Sequence, residues 1–488
     1  MTARLVCLSI LLFAAVLPGC LPEARIAWSP DGRYALVRGG DGLYLSDGAG
    51  KLSARIAEDV SAVAWMPDSR QFIAVCDKTV DTWDELAPRL PEAVRKSVEM
   101  QAEAFRQQIL AYKGDWQKFR FDAKPSDVIA ILMCLRDVHG KELAPAVGDA
   151  WKGLAARNSP LPLKHSVRGV QVFEVADGQA NPVKTLLETL GPITEIRVAP
   201  GGKAFAYAGQ AYPPEGPGAV LALYAVSMAA PDKPCRVEGR VSLFFDWSPD
   251  GRSLVYAKAD SDEPGACMPT VTFSTREGQL TYTRQRFRDP EQQPRLRQGQ
   301  ILRCTVIGED GTLLKKPDKL RLALVSFFDS LPVRCLKNGR VLFAARDIHL
   351  PAADNIPAGL SLFSLDPADP KTLAAMFTPE ARKEVVGRLE LLQLSPDETR
   401  LCVPDKEGRI LLVDLATGKV TAVHAEGTKD PMTTIPAWRS KDELCFVVPQ
   451  GSKLGAPNRS ELVLWSPAGC RRLSQDWPQA VVEGLLVP

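Results

Sequence analysis

A tetrapeptide, Ser-Pro-Asp-Gly, returns along this 488-residue chain, each time after a short apolar run. It is intact at Ser29-Pro30-Asp31-Gly32 and at Ser248-Pro249-Asp250-Gly251. Degraded copies stand at Met66-Pro67-Asp68-Ser69, Ala199-Pro200-Gly201-Gly202 and Ser395-Pro396-Asp397-Glu398. The chemistry is that of a tight turn: Pro pre-sets the second position, Asp tolerates the third and Gly suits the fourth. The flanks are strand-like, with Arg25-Ile26-Ala27-Trp28 before the first copy and Tyr34-Ala35-Leu36-Val37 after it. Around the second intact copy stand Phe244-Phe245-Asp246-Trp247 and Leu254-Val255-Tyr256-Ala257. Two β-rich runs joined by such a turn read as a hairpin.

A second hairpin follows the first. Gly42 to Ser46, the turn Asp47 to Gly50 and the run Lys51 to Ile56 have their counterpart in Arg409 to Asp414, Ala416 to Gly418 and Lys419 to Val423. Four strands per unit, at a spacing of about 40–45 residues, is the signature of propeller blades. Seven units begin near Ala24, Val60, Ile193, Val241, Leu322, Arg388 and Thr433. The fifth and seventh lack the Pro, having Leu336-Lys337-Asn338-Gly339 and Arg439-Ser440-Lys441-Asp442 at the turn. The expected fold is therefore all-β, a β-propeller of seven four-stranded blades, with six or eight left open. The segment Ala480 to Pro488 reads as one more inner strand, placed to complete the first blade and close the ring. Closure removes sheet edges that would otherwise pair with other chains.

An aromatic residue before Ser-Pro-Asp-Gly resembles the WD40-like (PD40) propeller repeat of the TolB type. Trp28 to Gly32 and Trp247 to Gly251 carry the resemblance, with Trp65 to Asp68 and Leu394 to Asp397 as partial matches. It covers nearly all of the chain beyond the amino terminus. It implies the propeller fold and little about activity, because one fold hosts many functions.

The amino terminus reads as a signal peptide over residues 1–19. Arg4 is its positive region, and Leu5 to Leu17 is an apolar stretch too short to span a bilayer comfortably. Leu17-Pro18-Gly19-Cys20 resembles a bacterial lipobox. On that reading Cys20 carries the acyl chains and tethers residues 20–488 to a membrane leaflet. Leu21 rather than Asp follows it, which favours the outer membrane. The alternative is an ordinary secretory signal with a soluble, exported product. A formal net charge of +2 gives no global pull toward nucleic acid. Of the 11 cysteines, nine remain after Cys7 and Cys20, and Cys76, Cys402 and Cys445 sit in strand-like runs. Buried free thiols are the simplest expectation. The pairs Cys235 with Cys267 and Cys304 with Cys335 are the alternatives in an oxidising compartment.

Two segments break the repeat. Between residues 84 and 165, within the second blade, Val94, Val98, Ala102, Phe105, Ile109 and Tyr112 fall at three- and four-residue spacing, with Gly114 as a stop. A second helix is expected from Pro125-Ser126-Asp127 toward Gly140, and a third from Pro145 to Ala156. Residues 260–299 form an extended insertion within the fourth blade. It holds Asp260, Asp262 and Glu263, then Arg284, Arg286, Arg288, Arg295 and Arg297. Alternate arginines on a strand share one face. They read either as the solvated edge of an extra hairpin or as a docking surface for an anionic glycan, lipid headgroup or acidic protein. Insertions in repeat proteins map to loops on one face, often the binding face.

No catalytic motif is legible. A Gly-x-Ser-x-Gly elbow, a His-Glu-x-x-His helix, a phosphate loop and a dinucleotide fingerprint are all absent from the sequence. The four histidines, His139, His165, His349 and His424, show no metal spacing, so neither a metal nor a cofactor is expected. Trp28, Trp65, Trp247 and Trp438 occupy one place in their units and read as packing between blades. The expectation is a membrane-tethered, non-enzymatic envelope scaffold that binds a protein or peptide, with a small-molecule ligand left open. The runner-up is a propeller hydrolase or lyase acting on peptide or polysaccharide through channel residues.

Overall fold

The computed structural model describes residues 24–114, 116, 119, 128–148, 163–211, 221–259, 272–276, 279–283, 297–327, 332–345, 347–349, 361–377, 391–404, 409–423, 435–450 and 459–485. Within them seven antiparallel sheets follow one another as the blades of a propeller. Blade 1 holds β1 (Ile26–Trp28), β2 (Tyr34–Arg38) and β3 (Leu43–Asp47). Its fourth place is filled by an irregular run, through the bridges Leu43 to Ala57 and Ser46 to Leu52. Blade 2 holds β4 (Val60–Trp65), β5 (Gln71–Val80), β6 (His165–Ala176) and β7 (Gln179–Thr189). Blade 3 holds β8 (Ile193–Val198), β9 (Ala204–Gln210), β10 (Leu221–Ser227) and β11 (Ala230–Gly239).

Blade 4 begins with β12 (Val241–Trp247) and β13 (Ser253–Ala259). A separate two-stranded hairpin, β14 (Thr272–Arg276) and β15 (Gln279–Thr283), precedes its outer strands β16 (Arg297–Ile307) and β17 (Leu313–Phe327). Blade 5 holds β18 (Val333–Cys335), β19 (Val341–Ala345), β21 (Ser361–Asp366) and β22 (Asp369–Ala375). Its β20 (Asp347–His349) leaves the blade and pairs with β17, giving blade 4 a fifth strand. Blade 6 is β23 (Gln393–Leu394), β24 (Arg400–Pro404), β25 (Ile410–Asp414) and β26 (Val420–Val423). Blade 7 is β27 (Ala437–Trp438), β28 (Leu444–Gln450), β29 (Arg459–Ser466) and β30 (Gly469–Arg472). The first strands β27, β1, β4, β8, β12 and β18 neighbour one another in that order around the axis, and β23 lies beside β27.

The tetrad makes the turn its composition predicts. In the first copy the Asp31 carboxylate accepts from the Ser29 hydroxyl at 2.6 Å and from the Arg33 amide at 3.1 Å. The Ser29 hydroxyl in turn accepts from the Tyr34 amide at 3.1 Å. The same bonds recur around Ser248 with Asp250, and around Ser395 with Asp397. The fourth residue sits in the left-handed region, at φ +69° for Gly32 and +68° for Gly251. Ser69 and Glu398 hold the same place at +59° and +60°. These two degraded copies therefore keep the geometry at a backbone cost of about 1–2 kcal/mol each, whereas the Ala199 copy keeps it with Gly202 at +67°.

An alternating up-and-down sheet sends its connections to alternate ends. The first-to-second and third-to-fourth turns, all short, lie on one face. The second-to-third connections leave from the other, and there the long ones stand: 81–164 in blade 2, 211–220 in blade 3, 260–296 in blade 4 and 346–360 in blade 5. The connections between blades share that face. One side of the ring is thus a collar of tight turns and the other carries every insertion.

The blade 2 insertion contains α1 (Trp83–Leu86), α2 (Glu92–Ala111) and α3 (Val128–Val147). It has its own core, in which Trp83, Phe105, Ile109, Ile131 and Leu135 pack with Val80, Val167 and Leu190 of the blade. The Thr82 hydroxyl caps α1, and Asp137 on α3 accepts from the Trp83 amide at 2.6 Å. The insertion is pinned to the sheet by Glu188, which pairs with Arg89 at 2.9 Å and with Lys78.

Three expectations need correction. The third helix does not begin at Pro145: α3 runs through Gly140 and Pro145 to Val147, because burying Leu143 and Val147 offsets the two poor helix formers. The fifth unit does not begin at Leu322, which lies in β17, the long outer strand of blade 4. The apolar run Leu320 to Phe327 only mimics an inner strand, and blade 5 starts at Val333. The carboxyl-terminal segment is not an inner strand: Pro478 precedes a short helix, α4 (Gln479–Glu483). Val481 and Leu485 bury with Trp477 and Ile26 in the core between blades 7 and 1, so the ring closes by packing rather than by strand exchange. Cys235, Cys304 and Cys335 are free thiols, while Cys267 lies outside the described residues.

Candidate functional site

The amide of each turn's first residue bonds across its hairpin, which fixes a common register: Ser29, Met66, Ala199, Ser248, Leu336, Ser395 and Arg439 are equivalent. Two residues earlier on the innermost strands stand Ala27, Ala64, Arg197, Asp246, Arg334, Gln393 and Ala437. All but Arg334 are partly buried, and Ala27, Ala64 and Ala437 pack against the hydrophobic cores between blades. The level is lopsided. Blades 7, 1 and 2 contribute alanine, while blades 3, 4 and 5 contribute Arg197, Asp246 and Arg334, with Gln393 beside them.

The charged arc is cross-linked between blades. Arg197 reaches the Asp246 carboxylate at 3.5 Å and Glu195 of its own strand at 3.2 Å. The other Asp246 oxygen accepts from the Cys335 amide at 3.0 Å, and the first also accepts from the Trp247 amide at 3.0 Å. Asp246 thus accepts from three donors. Arg197 keeps a buried Nε with no partner. Burial works against its charge, but Glu195 and Asp246 outweigh it and raise its pKa. Arg334 is only 8% exposed. Among the described residues its hydrogen bond goes to the Val333 carbonyl at 2.9 Å, and no carboxylate pairs with it. Burial, then the positive charge of Arg197, pull its pKa down to about 10 against the opposing pull of Asp246 and Glu195, and it stays cationic at neutral pH. Burial, then Asp246, push the Cys335 thiol well up, so it is not a thiolate.

The tryptophans next to this level lock it. The indole nitrogens of Trp65, Trp247 and Trp438 donate to the carbonyls of Ala27, Arg197 and Gln393, the level residue of the preceding blade, at 2.8, 3.1 and 3.3 Å. They are packing residues that also fix the channel-lining backbone.

On the insertion face, α3 offers a groove of about 240 Å³ lined by Leu135, Arg136, Gly140, Leu143, Ala144, Val147 and Gly148. Met100 on α2 and Val138 on α3 are exposed apolar residues, at 68% and 55%. Cys20, Arg284, Arg286, Arg288 and Arg295 lie outside the described residues, as do Asp260, Asp262, Glu263 and His424. Arg297 opens β16 opposite Phe327. His139 lies in α3, His165 is buried at the start of β6, and His349 ends β20. Among the described residues no group of three His, Cys, Asp or Glu is placed to hold a metal, and no helix is long and apolar enough to cross a membrane. The sequence reading missed Arg197, Asp246 and Arg334, although counting back two residues from each turn would have isolated them.

No family model and no curated protein sequence matches the chain. Among solved structures, hydrazine synthase of Kuenenia stuttgartiensis aligns over 88% of this chain and 93% of its own, at 11% identity and a TM-score of 0.41. The Cps50 (Swd1) β-propeller domain of Myceliophteria thermophila aligns over 91% and 97%, at 10% identity and a TM-score of 0.43. Likeness at this level carries nothing about chemistry; the fold rests on the seven sheets themselves.

Proposed function

We propose that this chain is a lipid-anchored, non-enzymatic binding protein of the bacterial envelope. Its protein or peptide partner docks on the propeller face from which the helical insertion leaves. The observation that carries the reading is the asymmetry of the two faces. One is closed by short turns, interlocked by bonds such as Arg439 to the Gly32 carbonyl and the Lys337 amide to Glu398. The other carries the insertions, including α2 and α3 with exposed Met100 and Val138. A hydrolase or lyase working through the channel would take its general acid or base from His, Asp, Glu, Lys, Tyr or Cys, and the carboxylates at this level are Asp246 and Glu195. Asp246 is held by three donors and Glu195 by Arg197, which favours holding a ligand over turning one over.

Val80 pairs directly with His165, so residues 81–164 can be replaced by a two-residue Asn-Gly turn that leaves β5 and β6 as a hairpin. Intact and shortened chains are recovered from envelope membranes and their co-purifying proteins compared. Loss of the main partner from the shortened chain is expected; recovery of the same partners by both rejects the docking face. Cys20→Ser is expected to release the protein from membranes, and persistent membrane association rejects the anchor.

A further inference from the structure

We propose that the insertion face of the propeller is turned to the lipid leaflet in which Cys20 is anchored, and that the collar of tight turns points away from it. The proposal rests on the lipid anchor of the proposed function, and it confines the partner of that reading to one that reaches this face from the same membrane. β1 is the innermost strand of blade 1 and runs from the insertion face toward the Ser29 turn, so the chain enters the ring on the insertion face. Its entry is pinned there. Arg38, the last residue of β2 and only 8% exposed, donates to the Ala24 carbonyl at 3.3 Å and to the Val60 carbonyl at 3.1 Å. The Arg38 amide also donates to the Arg25 carbonyl at 2.8 Å. Val60 opens β4, so Ala24 is held at the junction of blade 1 with blade 2, the blade from which α1, α2 and α3 leave.

The length of the tether decides the orientation. Only Leu21, Pro22 and Glu23 separate Cys20 from Ala24, and the steps between them span at most about 14 Å when fully extended. Bringing the turn face to the leaflet requires the tether to pass the thickness of a blade, about 17–20 Å for a strand of typical length. It would also have to find a way round the rim or down the axis, and it falls short of either. The exposed apolar side chains agree. Among the described residues, the large hydrophobics left exposed are Met100 and Val138 on the insertion, with Val183 and Leu320 on the outer strands β7 and β17. None stands in the tetrad turns. Met100 and Val138 are thus carried on the side that the tether turns to lipid.

The acylated full-length chain is added to vesicles of phosphatidylethanolamine and phosphatidylglycerol that carry an energy-acceptor lipid. A fluorophore is attached through an azido amino acid in place of Val138, on the insertion, or of Arg33, in the first turn; both are exposed. Energy transfer to the leaflet is expected to be several-fold stronger from the Val138 position than from the Arg33 position. Equal transfer, or stronger transfer from the Arg33 position, overturns the orientation. If either labelled chain does not fold, Met100 in α2 and Lys441 in the turn of blade 7 supply the same comparison. The anchor is read separately, by whether Cys20→Ser abolishes binding to the same vesicles. Wild type that does not bind, or Cys20→Ser that still binds, overturns the anchor and the orientation together. Wild type that binds only through Cys20, with no difference between the two label positions, overturns the orientation alone. Neither result touches the docking of a partner, which the pull-down with the shortened chain reads.

Discussion

The indole nitrogen of Trp247 donates a 3.1 Å hydrogen bond to the backbone carbonyl of Arg197, across the junction of blades 3 and 4. A packing residue of one blade thereby fixes the strand that carries a channel residue of the blade before it. Trp65 and Trp438 repeat the arrangement at two other junctions, whereas the buried indole nitrogen of Trp28 has no partner. Trp247→Phe is therefore expected to lose ring volume and one hydrogen bond, and Trp28→Phe ring volume and part of its cation–π contact with Arg439, whose guanidinium lies 5.2 Å from the ring. The Trp247 loss, from urea midpoints, should be the larger by about 1 kcal/mol. A smaller loss at Trp247 than at Trp28 would show that the indole bond contributes nothing.

Gly339 isolates the backbone cost of the turn. Its φ is +84°, and a methyl group there would meet nothing within 4 Å. Gly339→Ala should lower stability by about 1–2 kcal/mol through the left-handed backbone alone. An unchanged urea midpoint would contradict the assigned turn geometry.

The ring closes on two glycines. The Gly40 amide donates to the Ala480 carbonyl at 3.3 Å, and a Cβ on Gly484 would overlap the backbone of Gly39 and Gly40. Gly484→Ala should displace α4 and expose the core shared by blades 7 and 1. The check is hydrogen exchange, with faster exchange expected in β1 to β3 and in β29 and β30 and little change in blades 3 to 5. Uniform or unchanged exchange would remove α4 from the closure.

Glu238 makes the seam of blades 3 and 4 sensitive to acid. Lys319 contacts its carboxylate at 3.0 Å and Lys258 at 3.2 Å, and the Gly239 amide donates at 3.0 Å. Burial raises its pKa, but the Lys319 and Gly239 hydrogen bonds and the two lysine charges outweigh that and leave it lowered. A carboxylate with a depressed folded pKa contributes stability that is present above its unfolded value, about 4.3. That contribution is lost as pH falls through the folded value. The stability gap between wild type and Glu238→Gln should be widest near pH 7 and shrink below about pH 4, as read from denaturant titrations at each pH. A gap that widens on acidification would reverse the assigned sign.

Turn chemistry is local, so the blades were legible wherever a turn was. Ser29 with Asp31 and Ser248 with Asp250 bond to each other and to amides within five residues, and no distant part of the chain is needed to place them. Where local signals competed with long-range pairing the reading slipped. The apolar run Leu320 to Phe327 has the composition of an inner strand, and only its pairing with β16 makes it an outer one. Ala480 to Val482 has strand-forming residues, yet with β1 already innermost in blade 1 the segment winds into a helix between the blades.

The sequence by itself determined the repeat, its turns, its strand order and the place of the helical insertion, because each is written within a few residues by Pro, Gly, Asp and apolar periodicity. Only the tertiary structure decided that Arg197, Asp246 and Arg334 share one level of one channel. They lie on three blades, separated by 49 residues between the first pair. Nothing local to any of them differs from an ordinary charged residue at the end of a strand. Their meeting depends on the closure of the ring, which sets equivalent positions of consecutive blades side by side around a single axis.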